Sequence, residues 1–164
     1  MTTVAAIRKV PVPDDLPRTA VGATAAELDR RFGQTLAEAF PAVDPGMEPF
    51  GSRVLVQVRT PVRRSKGGII LVDETRETEK WNVQTAKVIA LGPVAFRDRT
   101  TMAPWPEGIW CALGSFVRVP KYGGDRWEVR YGPGEDDHAL FVILNDLNVI
   151  GRVTVDPRAI KAFI

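Results

Sequence analysis

A chain of 164 residues, 45 % hydrophobic and 26 % charged, suits one domain or a small domain with an extension, and is long enough to bury a core. Its 22 lysines and arginines and 20 acids are interspersed and leave a net charge of +2, which argues against a phosphate-tracking stripe and so against a nucleic-acid partner. The single cysteine, Cys111, excludes an internal disulfide; no apolar run approaches the roughly 20 residues that cross a bilayer, and no apolar signal core precedes the N-terminal prolines, so the expected setting is the cytoplasm, or a particle assembled there.

Residues 1–46 read as an N-terminal extension. A proline-rich leader (Pro11, Pro13, Pro17) comes first, then an amphipathic helix predicted over about 24–40. Thr24 and Glu27 make a capping box, the hydroxyl taking one orphan N–H and the carboxylate another. Leu28, Phe32, Leu36 and Phe40 recur every four residues as one apolar stripe, and Pro41 ends the segment. Gly33 inside the helix costs about 1 kcal/mol against alanine, so the helix needs a docking surface.

From Met47 the pattern turns to β. "RVLVQV" (53–58), "TAKVIALG" (85–92), "GSFVRVP" (114–120), "RWEVRYG" (126–132) and "HALFVILN" (138–145) are short strand patterns, most of them punctuated by glycine, proline or aspartate. Many short strands without βαβ alternation predict an all-β fold, a small barrel or sandwich. Residues 152–164 form a C-terminal extension.

The candidates for chemistry are weak. Lys66-Gly67-Gly68 has its lysine before the glycines and no Ser or Thr after it, the wrong order for a phosphate loop. Asp136, Asp137 and His138 are consecutive, and neighbours in a loop rarely converge on one ion, so they read as a solvated turn and no metal site is expected. Cys111 sits among apolar residues and reads as a buried hydrophobe. Trp81, Trp105, Trp110 and Trp127 are dispersed without basic interleaving, which suits core or subunit-contact roles better than base stacking. No set of nucleophile, base and orienting residue emerges, which favours a binding protein over an enzyme.

One stretch resists a bland account. In "RRSKGGIILVDETRETEK", Ile69, Ile70 and Leu71 stand in otherwise charged surroundings behind two glycines. Either they form a core strand, which the charged flanks fit poorly, or they are exposed in the free protein and buried on a partner.

Taken in order, "EPFGSRVLVQV", "SKGGIIL", "TAKVIALGP", "LGSFVRVPKYGG" and "LFVILNDLNVIG" form a series that resembles the GroES-type co-chaperonins from Met47 to about Gly151. Ser52 and Ser115 replace aspartates of the family pattern, and Ala86 stands where glycine is usual. The resemblance implies a GroES-like irregular β-barrel in a dome-shaped homo-oligomeric ring, usually a heptamer, that caps a GroEL-type chaperonin and assists ATP-dependent folding. It implies a mobile loop over about 61–83 whose Gly67, Gly68, Ile69, Ile70 and Leu71 bind the chaperonin, and a roof segment over about 96–108. It implies no cofactor on this chain, with ATP and Mg bound by the partner, and no nucleic-acid or membrane partner. Pairing of terminal strands between subunits puts the seam at Val54, Leu55, Val56, Leu147, Val149 and Ile150. Neither extension has a counterpart in the family pattern, so deleting residues 1–44 is expected to leave ring formation intact. Divergent, elaborated members of this kind look like bacteriophage-encoded co-chaperonins, which would work in the host cytoplasm. The alternative is a structural protein, a shell-decorating or connector subunit of a virion, whose loops and extensions grip neighbours. The GroES-like domain of zinc-dependent alcohol dehydrogenases does not fit, because the metal ligands and nucleotide domain are missing.

Overall fold

The computed structural model describes residues 23–61, 84–134 and 137–160. Two short helices, α1 (Ala25–Phe32) and α2 (Leu36–Ala39), precede strands β1 (Arg53–Val58), β2 (Thr85–Leu91), β3 (Phe116–Arg118), β4 (Asp125–Arg130), β5 (His138–Asn145) and β6 (Gly151–Arg152). The strands form one antiparallel sheet in the order β4-β5-β1-β2-β3-β6. Residues of β1, β2, β3 and β5 meet Phe96, Cys111 and Val149 in a single core cluster, so the sheet curls around its own inner face, as an all-β GroES-like barrel does.

The apolar run of β1 explains its place at the centre. A strand covered on both faces reads as continuously apolar instead of alternating. Val54, Val56 and Val58 fill the barrel interior, while Leu55 faces outward with Ala139 and Phe141 into a second cluster. A bulge between Leu55 and Val56, where Ala90 and then Val88 are the partners in β2, bends the strand locally. Both hydrogen-bonding edges of β1 are filled within the chain, by β2 and β5. Val54, Leu55 and Val56, expected at the subunit seam, thus have both strand edges paired within the chain and their side chains buried.

The outer cluster is roofed by the N-terminal extension. Val43 packs against it, and Trp127 stacks on Phe141 at 5.9 Å while its indole N–H donates to the Pro45 carbonyl at 2.8 Å. The buried Gln57 amide donates to the Pro41 carbonyl at 2.8 Å, and the Phe40 ring meets Phe116 at 5.1 Å.

The helix expected over 24–40 is two helices. Gly33 takes the left-handed conformation (φ 65°) and its N–H donates to the Asp29 carbonyl, terminating α1 as a glycine C-cap. The chain restarts with a second capping box, in which the Glu38 N–H donates to the Thr35 hydroxyl and the Thr35 N–H to the Glu38 carboxylate. The break dissolves the apolar stripe: Phe40 is buried, Leu28 and Phe32 are partly buried, and Leu36 is 42 % exposed, with Ala39 taking the inward place on α2.

The segment expected as a roof carries only an isolated bridge between Arg97 and Pro104. Backbone N–H donations from Thr101 and Thr100 hold the Asp98 carboxylate below its usual range and tie the turn together. Phe96 adopts a left-handed conformation (φ 59°), unfavourable for a bulky side chain. Its N–H donation to the buried Asp146 carboxylate at 2.9 Å and its ring packing with Trp105 and Trp110 hold it there. Burial pushes the neighbouring Cys111 thiol up to about 11, which leaves it an inert hydrophobe.

One backbone approach sets a sharp test. A Cβ at Gly92 would collide with the Gly51 carbonyl oxygen and lie 3.0 Å from the Arg53 carbonyl oxygen, and the Gly92 N–H donates to the latter. Gly92→Ala is expected to destabilise the fold by about 3 kcal/mol, because backbone on both sides must move. Urea unfolding would show it as a lower midpoint at unchanged slope.

Candidate functional site

Between β1 and β2 the described residues stop at Pro61 and resume at Gln84. The Arg59 N–H donates to the Thr85 carbonyl at 3.0 Å and ties the two sides of this interval together. The returning stem is fixed by β3 and the residue after it: the Val119 N–H donates to the Gln84 carbonyl and the Arg118 guanidinium to the Gln84 side chain. Gly67, Gly68, Ile69, Ile70 and Leu71, the residues singled out for partner binding, lie outside the described residues, as does Trp81.

The outgoing stem is held by both extensions. The Thr60 N–H donates to the Ala39 carbonyl at 2.8 Å, and the Gln34 amide donates to the Thr60 carbonyl at 2.9 Å. Arg59 donates to the Arg158 carbonyl at 3.1 Å. The Arg158 guanidinium, only 4 % exposed as a residue, forks onto both Asp156 carboxylate oxygens at 3.0 and 2.8 Å. It also donates to Asp29 at 2.6 Å and to the Gln34 carbonyl at 2.7 Å, and lies 5.1 Å from the centre of the Phe32 ring. A cleft of about 550 Å3 opens beside this network, lined by Ala37, Pro41, Thr60, Pro61 and Tyr131.

Burial pushes the Asp156 carboxyl up, but the hydrogen bonds and charge of Arg158, with the charge of Arg59, together outweigh it and hold the group below the ordinary carboxylate range. A carboxylate depressed in the folded state contributes stability that is complete above its unfolded pKa, about 3.9, and is lost as pH falls through the folded value. Thermal stability is therefore expected to carry an Asp156 contribution that is constant from neutral pH to about 5 and declines progressively as pH falls below about 4 toward the folded value. Asp156→Asn should flatten that acid limb in a calorimetric pH series.

A second surface lies at the rim. Leu147 is 70 % and Ile150 61 % exposed, whereas Val149, the third member of the expected seam at this end, is buried in the core cluster. The Asp146 N–H donates to the Ser52 carbonyl, which sets the Leu147 segment beside the lead-in to β1. That lead-in exposes Phe50 and Met47, which the sequence reading passed over. The signal was present: two large apolar side chains stand in the turn-rich "DPGMEPFGS", as Ile69 to Leu71 stand among charges.

Among the described residues, no three His, Cys, Asp or Glu side chains gather as a metal site would require. Asp137 accepts from the Gly134 N–H and closes the turn into β5, where His138 pairs with Arg130, while Asp136 lies outside the described residues. Trp105 and Trp110 pack on the core cluster and Trp127 on the outer one, in keeping with packing roles.

Known proteins resemble this chain over the barrel. The family model "Chaperonin 10 Kd subunit" matches residues 46–150. A Co-chaperonin GroES of Methylacidiphilum infernorum (isolate V4) is 37 % identical over 111 residues, covering 68 % of this chain and 97 % of the relative. One from Tetragenococcus halophilus is 34 % identical over 90 residues, 55 % of this chain and 84 % of the relative. One from Syntrophomonas wolfei is 25 % identical over 108 residues, 65 % and 97 % respectively. The family match takes in β1 to β5 and stops short of β6, so α1, α2 and Arg158 fall outside it. With an antiparallel GroES-like sheet beneath a match of this extent, the chain belongs to the chaperonin 10 kDa subunit family, the GroES-type co-chaperonins.

Proposed function

We propose that this protein caps a GroEL-type chaperonin ring and assists ATP-dependent protein folding, docking through Gly67, Gly68, Ile69, Ile70 and Leu71. The observation that carries this reading is the match to 97 % of a relative named Co-chaperonin GroES. The docking residues lie in the chain between β1 and β2. ATP and its magnesium are assigned to the partner, because the glycines after Lys66 have the wrong order for a phosphate loop.

The physics suits a reversible cap. Ordering a solvated segment on a partner costs about 2–5 kcal/mol, and burying each of three aliphatic side chains returns roughly 1.5–3 kcal/mol. Each docking segment then binds weakly, and linking several in one ring makes later contacts intramolecular. Ring assembly, proposed as a heptamer, is assigned to the rim where Met47, Phe50, Leu147 and Ile150 expose apolar surface. The compartment proposed is the cytoplasm where the chaperonin works.

Mixing the purified protein with a chaperonin and either ATP or ADP, then sizing the mixture, tests the proposal. Nucleotide-dependent co-elution is the expected result. A protein that ignores the chaperonin and is found instead among the structural components of purified particles would favour the shell or connector reading.

A further inference from the structure

The two extensions that lie outside the family match meet each other, and they meet at Arg59 and Thr60, the stem that follows β1. Asp29 and Gln34 come from the N-terminal side, Asp156 and Arg158 from the C-terminal side, and Arg59 and Thr60 from the stem between them. We propose that the extensions form one clamp on this stem, tied by Arg158, and that the clamp sets how readily the segment beyond it engages a chaperonin. The second half rests on the function proposed above; the first does not.

Arg158 is suited to tie the clamp. A buried guanidinium is retained only where its donors are satisfied, and here they are taken by a carboxylate from each extension and by a main-chain carbonyl. Because a buried ion pair adds little net stability over a hydrophobic replacement, its consequence is a fixed geometry. That geometry is passed on through two arms. The Gln34 main chain is held by Arg158 while its side chain holds Thr60, and the Arg158 carbonyl holds Arg59. Two stem residues in succession are thereby fixed immediately before the chain departs. Holding the residues next to a binding segment in place is a form of preorganisation, which lowers the cost of binding.

Arg158→Met and Gln34→Met test this in the full chain. Methionine keeps an unbranched apolar stem and removes the donors, and Gln34→Met leaves the guanidinium, its carboxylates and the Gln34 carbonyl in place. Hydrogen exchange at the Thr60 amide is the first readout, with Val88 and Val142 in the barrel strands as internal references. The expected result is exchange at Thr60 at least about tenfold faster in both variants; in Gln34→Met the references and the melting midpoint stay little changed, whereas Arg158→Met, which leaves Asp156 unpaired, also lowers the midpoint. A merely structural role would move the Thr60 rate, the references and the midpoint of Gln34→Met together, and an unchanged Thr60 rate in the folded variants would overturn the clamp. The second readout is capture by a chaperonin ring with ATP, expected to weaken about tenfold in both variants. Loosened stems with capture equal to wild type would overturn the effect on engagement. If the wild-type protein is not captured at all, the proposed function fails, and the effect on engagement with it, while the exchange result still decides the clamp.

Discussion

Ile70→Asp is expected to abolish nucleotide-dependent capture by a chaperonin ring while leaving the barrel folded. The substitution removes roughly 1.5–3 kcal/mol of apolar burial from each docking segment. It also requires a carboxylate to enter an apolar groove, which adds a desolvation penalty of several kcal/mol. Either change alone is comparable with the net binding of one segment once its ordering cost of about 2–5 kcal/mol is met. In a ring the loss recurs at every subunit, so the apparent affinity should fall by more than about a hundredfold. The fold is expected not to respond, because β1 and β2 on either side are held by their own core residues and by their pairing with each other, β5 and β3. Co-sedimentation with the chaperonin in ATP, beside matched urea midpoints, reads both halves of the expectation. Undiminished capture would remove Gly67 to Leu71 from the binding role.

The strands were legible because their signals are local. The bounds of β1 and β5 coincide with "RVLVQV" and "HALFVILN", where β-branched and aromatic residues crowd between turn formers. β3 keeps only Phe116–Arg118 of its seven-residue pattern, because Gly114 and Ser115 turn the chain and Pro120 cannot donate to a ladder. The broken helix was misread although its evidence was local too. Thr35 and Glu38 repeat the capping box of Thr24 and Glu27 eleven residues later, and Gly33 stands at the C-cap between them. The four-residue stripe masked both, though a stripe at strict fours drifts around a helix of 3.6 residues per turn.

The pairing of β1 on both edges was not foreseen, because a strand that closes a ring and a strand at the middle of a sheet can share one apolar sequence. The continuous run in β1 was nevertheless the sign of a strand covered on both faces. Arg158 was not legible at all. Its partners Asp29 and Gln34 lie more than a hundred residues away, and an arginine in "DPRAIKAFI" looks like any solvated charge. Polar contacts between distant segments leave no period in the sequence, whereas apolar faces do.

Those contacts change what deletion of residues 1–44 should do. The sequence suggested a dispensable appendage, and the structure makes the extension part of the outer core. Removing it uncovers the outer cluster around Leu55 and Phe141 and strips away the Phe40 ring, about 1.5–3 kcal/mol for that side chain alone. It also deprives the buried Gln57 amide of the Pro41 carbonyl and Arg158 of Asp29 and the Gln34 carbonyl, at about 1–3 kcal/mol for each polar group left buried and unpaired. The sum is on the order of 5 kcal/mol, against a typical domain stability of about 5–15 kcal/mol. The truncated protein is therefore expected to unfold at a much lower urea concentration and to yield few rings, with Phe40→Ala reproducing about 3 kcal/mol of the loss. The midpoint tells the cause of any missing rings. Monomers that unfold at the full-length midpoint would place the helices in the subunit contact and overturn this account, whereas monomers with a depressed midpoint have lost the cover of the sheet on which β1 and β5 depend.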